Sequence, residues 1–63
     1  MNDNYVIKTT DDQYFGGWDR LGQITIKEEK DRDLAYRMSR TVANRNLYKI
    51  EDYTPKKCEI VVV

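Results

Sequence analysis

The chain has 63 residues, with 11 Lys and Arg against 11 Asp and Glu, no His and a single Cys. That length admits one domain over residues 1–63 and a modest core, because folding at this size buries only about 60% of the unfolded surface. An intramolecular disulfide and a zinc site of Cys and His ligands are excluded, no run nears the roughly 20 apolar residues of a membrane span, and the zero net charge lacks the basic excess of nucleic-acid-binding domains.

The first strand signal is residues 5–8, where Tyr5, Val6 and Ile7 are aromatic and β-branched. Thr9, Thr10, Asp11 and Asp12 then favour a turn, since their side chains bond nearby backbone. Residues 13–19 read as a second strand, with Tyr14 and Trp18 on one face and Phe15 on the other. Gly16 and Gly17 interrupt it. Glycines inside a strand mark a bulge or a close backbone approach; here they are expected to bend the hairpin so that Trp18 reaches the core, the alternative being a ligand-contacting loop. Asp19 to Gly22 forms the next turn, with Gly22 free to take positive φ. Residues 23–27 give a third strand with Ile24 and Ile26 on one face, so the simplest topology is an antiparallel meander.

Residues 28–32 read as a solvated charged connector, without the spaced ligands and glycine of a calcium loop. Two helix starts follow. One begins near Asp33 and packs Leu34, Ala35, Met38 and Val42. The other takes Ser39 as N-cap and packs Val42, Ala43, Leu47 and Ile50. The later start keeps a single apolar stripe, and it leaves residues 33–38 as a short turn tucking Leu34, Ala35 and Met38 under the sheet edge. Asn46 then falls on the apolar side and needs a carbonyl to cap or a place at the margin. Residues 51–54 leave the helix before Pro55. Residues 57–63 carry the strongest strand signal, with Cys58, Ile60 and Val62 on one face and Glu59, Val61 and Val63 on the other. A run apolar on both faces belongs in the middle of a sheet or at a subunit contact. The fold class is α+β: a small antiparallel sheet of three to four strands covered on one face by a single helix.

The outer side of that helix is basic. Arg37, Arg40, Arg45 and Lys49 fall within residues 36–50 without one acid, whereas residues 1–19 hold Asp3, Asp11, Asp12 and Asp19 against Lys8 alone. Such polarity steers a partner by charge. The candidate binding residues are Arg37, Arg40, Thr41, Asn44, Arg45 and Tyr48, with Tyr14, Tyr36 and Tyr53 as secondary candidates, because Tyr and Arg are enriched at interface hot spots. Protein binding ranks first. Nucleic acid, met by the Arg and Asn of the helix, is the alternative. Catalysis is not expected: general acid–base work favours His or carboxylates in a pocket, and Cys58 would need an activating base. No cofactor and no metal are expected either. Self-association into a homodimer is expected to supplement the small core.

The stretch YVIKTTDDQYFGGWD, the AYRMS that precedes an alanine-bearing helix, and the closing CEIVVV resemble small proteins encoded in phages and prophages of Gram-positive bacteria. That resemblance spans nearly the whole chain and implies a ββ(β)αβ arrangement. It implies an accessory phage product that binds and disables a host or defence protein, as anti-CRISPR proteins do. Asp12 departs from the pattern, standing where a glycine is more usual. The opening residues lack a secretory leader, and the lone thiol suits a reducing compartment, so the expected location is the host bacterial cytoplasm.

Overall fold

The structure is a computed structural model, and it describes residues 3–63. In chain order the elements are β1 (Tyr5–Thr9), β2 (Tyr14–Trp18), β3 (Ile24–Lys27), a kinked 3-10 segment (Glu29–Leu34), α1 (Arg40–Tyr53) and β4 (Cys58–Val62). The strands form one antiparallel sheet in the order β3-β2-β1-β4, with α1 packed on one face. This is the expected α+β class, and the first three strands are the expected meander.

Both hairpin turns are held by their own side chains. The nearly buried Thr9 accepts the N–H groups of Asp11 and Gln13 at its Oγ1, each at 3.2 Å. The chain can then reverse only with Asp12 left-handed, at φ +60°. Asp tolerates this region, and a bulkier side chain does not. In the second turn Asp19 Oδ1 accepts from Leu21 at 2.8 Å and Gln23 at 2.9 Å, and Gly22 supplies a φ of +78°.

The glycine pair makes a bulge. Phe15 pairs with Ile26 and Trp18 with Ile24, so Gly16 and Gly17 together stand opposite Thr25, whose hydroxyl donates to the Gly17 carbonyl at 3.0 Å. One extra residue reverses the in–out alternation beyond it. Trp18 therefore shares the face of Phe15, which corrects the strict alternation that put it with Tyr14. Nor does the indole reach the core. It stays 45% exposed and leans edge-on against Phe15, ring centres 5.0 Å apart.

From Phe15 onward, just before the bulge, β1 and β2 part company. Their pairing is confined to the turn end, at Lys8 opposite Tyr14 and the Thr9 N–H on the Gln13 carbonyl. Residues 36–38 fill the gap. Tyr36 donates its N–H to the Phe15 carbonyl at 2.8 Å, and Met38 exchanges two backbone bonds with Tyr5, at 2.9 and 3.1 Å. Met38 is thereby buried, as expected, whereas Leu34 is 61% exposed because the 3-10 segment turns its side chain to water. The expected tuck of Leu34 under the sheet edge does not occur, and the expected plain connector is this 3-10 segment.

Leaving that strap, the chain starts α1 at the later of the two expected positions. Ser39 is extended and its Oγ accepts the Val42 N–H at 3.2 Å, satisfying one of the amides that the first turn leaves unpaired. The inner stripe then meets the sheet. Ala43 and Ile50 are fully buried with Ile7, Phe15 and Met38, and Tyr5, Ile24, Val42, Leu47, Cys58 and Ile60 pack around them. Each large aliphatic side chain so covered contributes roughly 1.5–3 kcal/mol. Asn46 is buried on this stripe because its amide donates to the Val42 carbonyl at 3.0 Å, one turn back. The helix continues through Tyr53, further than expected, and Thr54 closes it with N–H and hydroxyl bonds to the Ile50 carbonyl. Finally β4 returns along β1, pairing Thr9 with Cys58 through Tyr5 with Val62. It is an edge strand, so its two apolar faces do not signify a central position.

Gly17 combines a left-handed backbone with a tight contact, so a side chain there is strained twice over. Its φ is +88°, and a Cβ there would meet Tyr36 Cδ1 at 2.9 Å, whereas one at Gly22 would meet nothing within 4 Å. Gly17→Ala is expected to cost about 2 kcal/mol or more and Gly22→Ala about 1 kcal/mol, the latter for the left-handed backbone alone. Urea unfolding of both variants checks this. Equal losses would mean that the Tyr36 ring yields freely.

Candidate functional site

Because the inner stripe of α1 is spent on the sheet, the helical period throws Arg40, Thr41, Asn44, Arg45 and Tyr48 to the outside, and all five are exposed. Tyr48 is 76% exposed, far beyond what a tyrosine packed at a rim requires. The cations here are uncommitted. The ion pairs among the described residues are Lys8 with Asp12, Arg32 with Glu29 and Lys56 with Asp11, at 3.1, 3.4 and 2.7 Å, and none involves Arg37, Arg40, Arg45 or Lys49. Arg40 moreover sits in a first turn that holds no acid, where the helix dipole already concentrates positive potential. That placement gives up a little stability and strengthens the field outside α1.

The remaining candidates lie elsewhere. Arg37 precedes the N-cap, so it is not on the helix face where a continuous helical period would set it. It lines, with Arg32 and Asp33, a cleft of about 200 Å³ on the sheet face opposite α1. Val6, Tyr14, Ala35, Val61 and Val63 also line that cleft. Tyr14 is half-buried there, and the nearby Glu29 carboxylate pushes its phenol above the ordinary value. Tyr36 is structural as much as exposed: its ring stands edge-on to Phe15 and Trp18, centres 5.7 and 5.5 Å apart. Tyr53, in the last turn of α1, is 54% exposed but lies around the helix from Tyr48. The site thus resolves into a helix ridge, a cleft on the far face, and two separate tyrosines.

Sequence reasoning overlooked Glu51. Its carboxylate accepts the Cys58 N–H at 3.0 Å, bonding the last turn of α1 to the start of β4. A carboxylate one helical turn before a proline reads as surface charge, and only the tertiary turn reveals its partner. The same contact bears on the thiol. Cys58 is half-buried, and burial pushes its pKa up; the Glu51 charge adds to that, against a lowering hydrogen bond from Thr54. Among the described residues no three His, Cys, Asp or Glu side chains converge to hold a metal ion, and no helix is long and apolar enough to cross a membrane.

Comparison of the chain with protein-family models, with curated proteins and with solved structures yields no match.

Burial of the Cys58 thiol makes the stability of the fold depend on pH. The folded chain favours the protonated form, so the contribution of Cys58 to stability is complete below the ordinary thiol value and fades as pH rises through the raised one. Iodoacetamide at mildly alkaline pH is expected to alkylate Cys58 more slowly in the folded chain than in urea. Equal rates in the two states would contradict the burial described here.

Proposed function

We propose that this chain is a non-enzymatic interaction module, a phage or prophage accessory product that binds a host or defence protein of the bacterial cytoplasm through the outer ridge of α1. One observation carries this reading: Thr41, Arg45 and Tyr48 line one exposed ridge, with Tyr48 76% exposed and Arg45 lacking any carboxylate partner among the described residues. A large amphipathic ring beside an unpaired guanidinium is the combination that concentrates binding energy at protein interfaces. The partner that fits is a protein with an acidic patch, since the ridge offers donors and positive charge and the inner face of α1 is already occupied. Arg40 and Asn44 lie beside the ridge, on the side of α1 that faces β4, and are not part of it.

Affinity capture from a Gram-positive host, compared between the wild-type chain and an Arg45→Glu/Tyr48→Ala variant, tests the reading. Both positions are exposed, so the variant is expected to keep its fold. A captured protein should bind the purified wild-type chain and lose about tenfold or more in affinity for the variant. The same capture by both chains, with equal affinities, would overturn the reading. Salt-dependent retention on a DNA duplex or single strand, lost in the variant, would instead assign the ridge to nucleic acid.

A further inference from the structure

We propose that the open edge of β4 is the docking site for a second copy of this chain, in one definite register. This inference does not depend on the function assigned to the ridge of α1.

The alternation of β4 decides which of its backbone groups are already used. The Lys57 carbonyl accepts from Thr10 at 3.1 Å and the Val63 N–H donates to Asn4 at 2.7 Å. In an antiparallel ladder this means that Lys57, Glu59, Val61 and Val63 direct their groups to β1, while Cys58, Ile60 and Val62 direct theirs outward. The Cys58 N–H is taken by Glu51 at 3.0 Å. Ile60 and Val62 therefore carry the unpaired donors of the edge, together with their carbonyls, among the described residues.

A two-fold axis through Val61 satisfies this set. It places Ile60 opposite the partner's Val62, and Val62 opposite the partner's Ile60, so each open N–H meets an open carbonyl. The Glu51 cap on Cys58 is left intact. An axis through Ile60 would aim the partner's Val62 carbonyl at the Cys58 N–H, which is occupied, and an axis through Glu59 would set two carboxylates side by side. Edge chemistry alone thus selects the register.

The helices agree with it. Since α1 packs over β1 and β4, and strands are about 4.8 Å apart, the axis brings the two helices to about 10 Å, the distance at which helices pack. Arg40, Asn44, Leu47 and Glu51 form the stripe of α1 on the β4 side, as the reach of Glu51 to the outward Cys58 amide shows. Glu51 is level with Cys58 and the start of α1 is level with Val62, so Val61, about 10 Å along β4 from Cys58, lies level with the middle of this stripe. Helices related by an axis there run antiparallel and bring Arg40 opposite the partner's Glu51 and Glu51 opposite the partner's Arg40. Arg40 has no carboxylate of its own among the described residues, and Glu51 has an oxygen to spare. Charge complementarity thus falls where the backbone register puts it. The exposed Val62 is covered in the same step.

Sedimentation velocity of the full chain over a range of micromolar concentrations, with three variants, tests the proposal. The wild type is expected to be a dimer. Val62→Pro removes a donor that faces outward and no bond within the chain, so it should be a folded monomer, with its thermal transition retained as a control. Arg40→Glu should raise the dimer dissociation constant about tenfold or more. Val61→Cys in a Cys58→Ser background should give a covalent dimer on mild oxidation, because residues on the axis form the non-hydrogen-bonded pair, with Cα atoms about 4.5 Å apart. A wild-type monomer at every concentration, or a dimer that survives Val62→Pro, would overturn the proposal. Failure of Val61→Cys to cross-link in a dimeric protein would overturn the register.

Discussion

Three backbone hydrogen bonds at residues 36–38 govern how the rest of this molecule is put together: Tyr36 to Phe15, and the reciprocal pair between Met38 and Tyr5. They fill the opening left where β1 and β2 diverge, and they satisfy strand groups that would otherwise face a buried gap. They also fix where the chain emerges. Met38 enters the core, Ser39 follows as an extended N-cap, and α1 has only one direction in which to start. In a chain with so small a core, this placement decides which side of the helix meets the sheet and which meets water.

The exposed surface is a consequence of that placement. With Ala43, Asn46 and Ile50 committed to the core, the period of the helix leaves Thr41, Arg45 and Tyr48 as a ridge and Arg40, Asn44, Leu47 and Glu51 as a flank on the β4 side. The two stripes serve separate proposals, a protein partner on the ridge and a second copy against the flank and the strand edge. They are compatible in space. A two-fold axis normal to the sheet turns both ridges to the same side and would double the basic surface offered to a partner.

Much of this was legible in the sequence, for local reasons. Ser39 announces the helix start because a hydroxyl before a periodic stripe satisfies a free amide, and the structure shows that bond. Asn46 stood out as a polar residue among aliphatics, and its bond to the Val42 carbonyl is one of the two resolutions open to it. What misled was long-range. A bulge at Gly16 and Gly17 is readable, but its reversal of the face of Trp18 depends on how many residues stand opposite it. The apolar run of β4 fits a central strand and an unpaired edge equally well. Arg37 falls on the helix period, yet the strap at residues 36–38 ends before the helix begins and carries it to the far face. Leu34 looked like core because it is apolar, and no pattern in six residues of 3-10 segment says which way it turns.

Native-state amide hydrogen exchange tests the central claim most directly, residue by residue. If the strap organises the fold, the amides of Tyr5, Tyr36 and Met38 will exchange only through global unfolding, as slowly as those of Ile7 and Ile50. Fast exchange at Tyr36 and Met38, with α1 and β1 still protected, would show that the sheet and helix stand without the strap and that the helix face is set by something else.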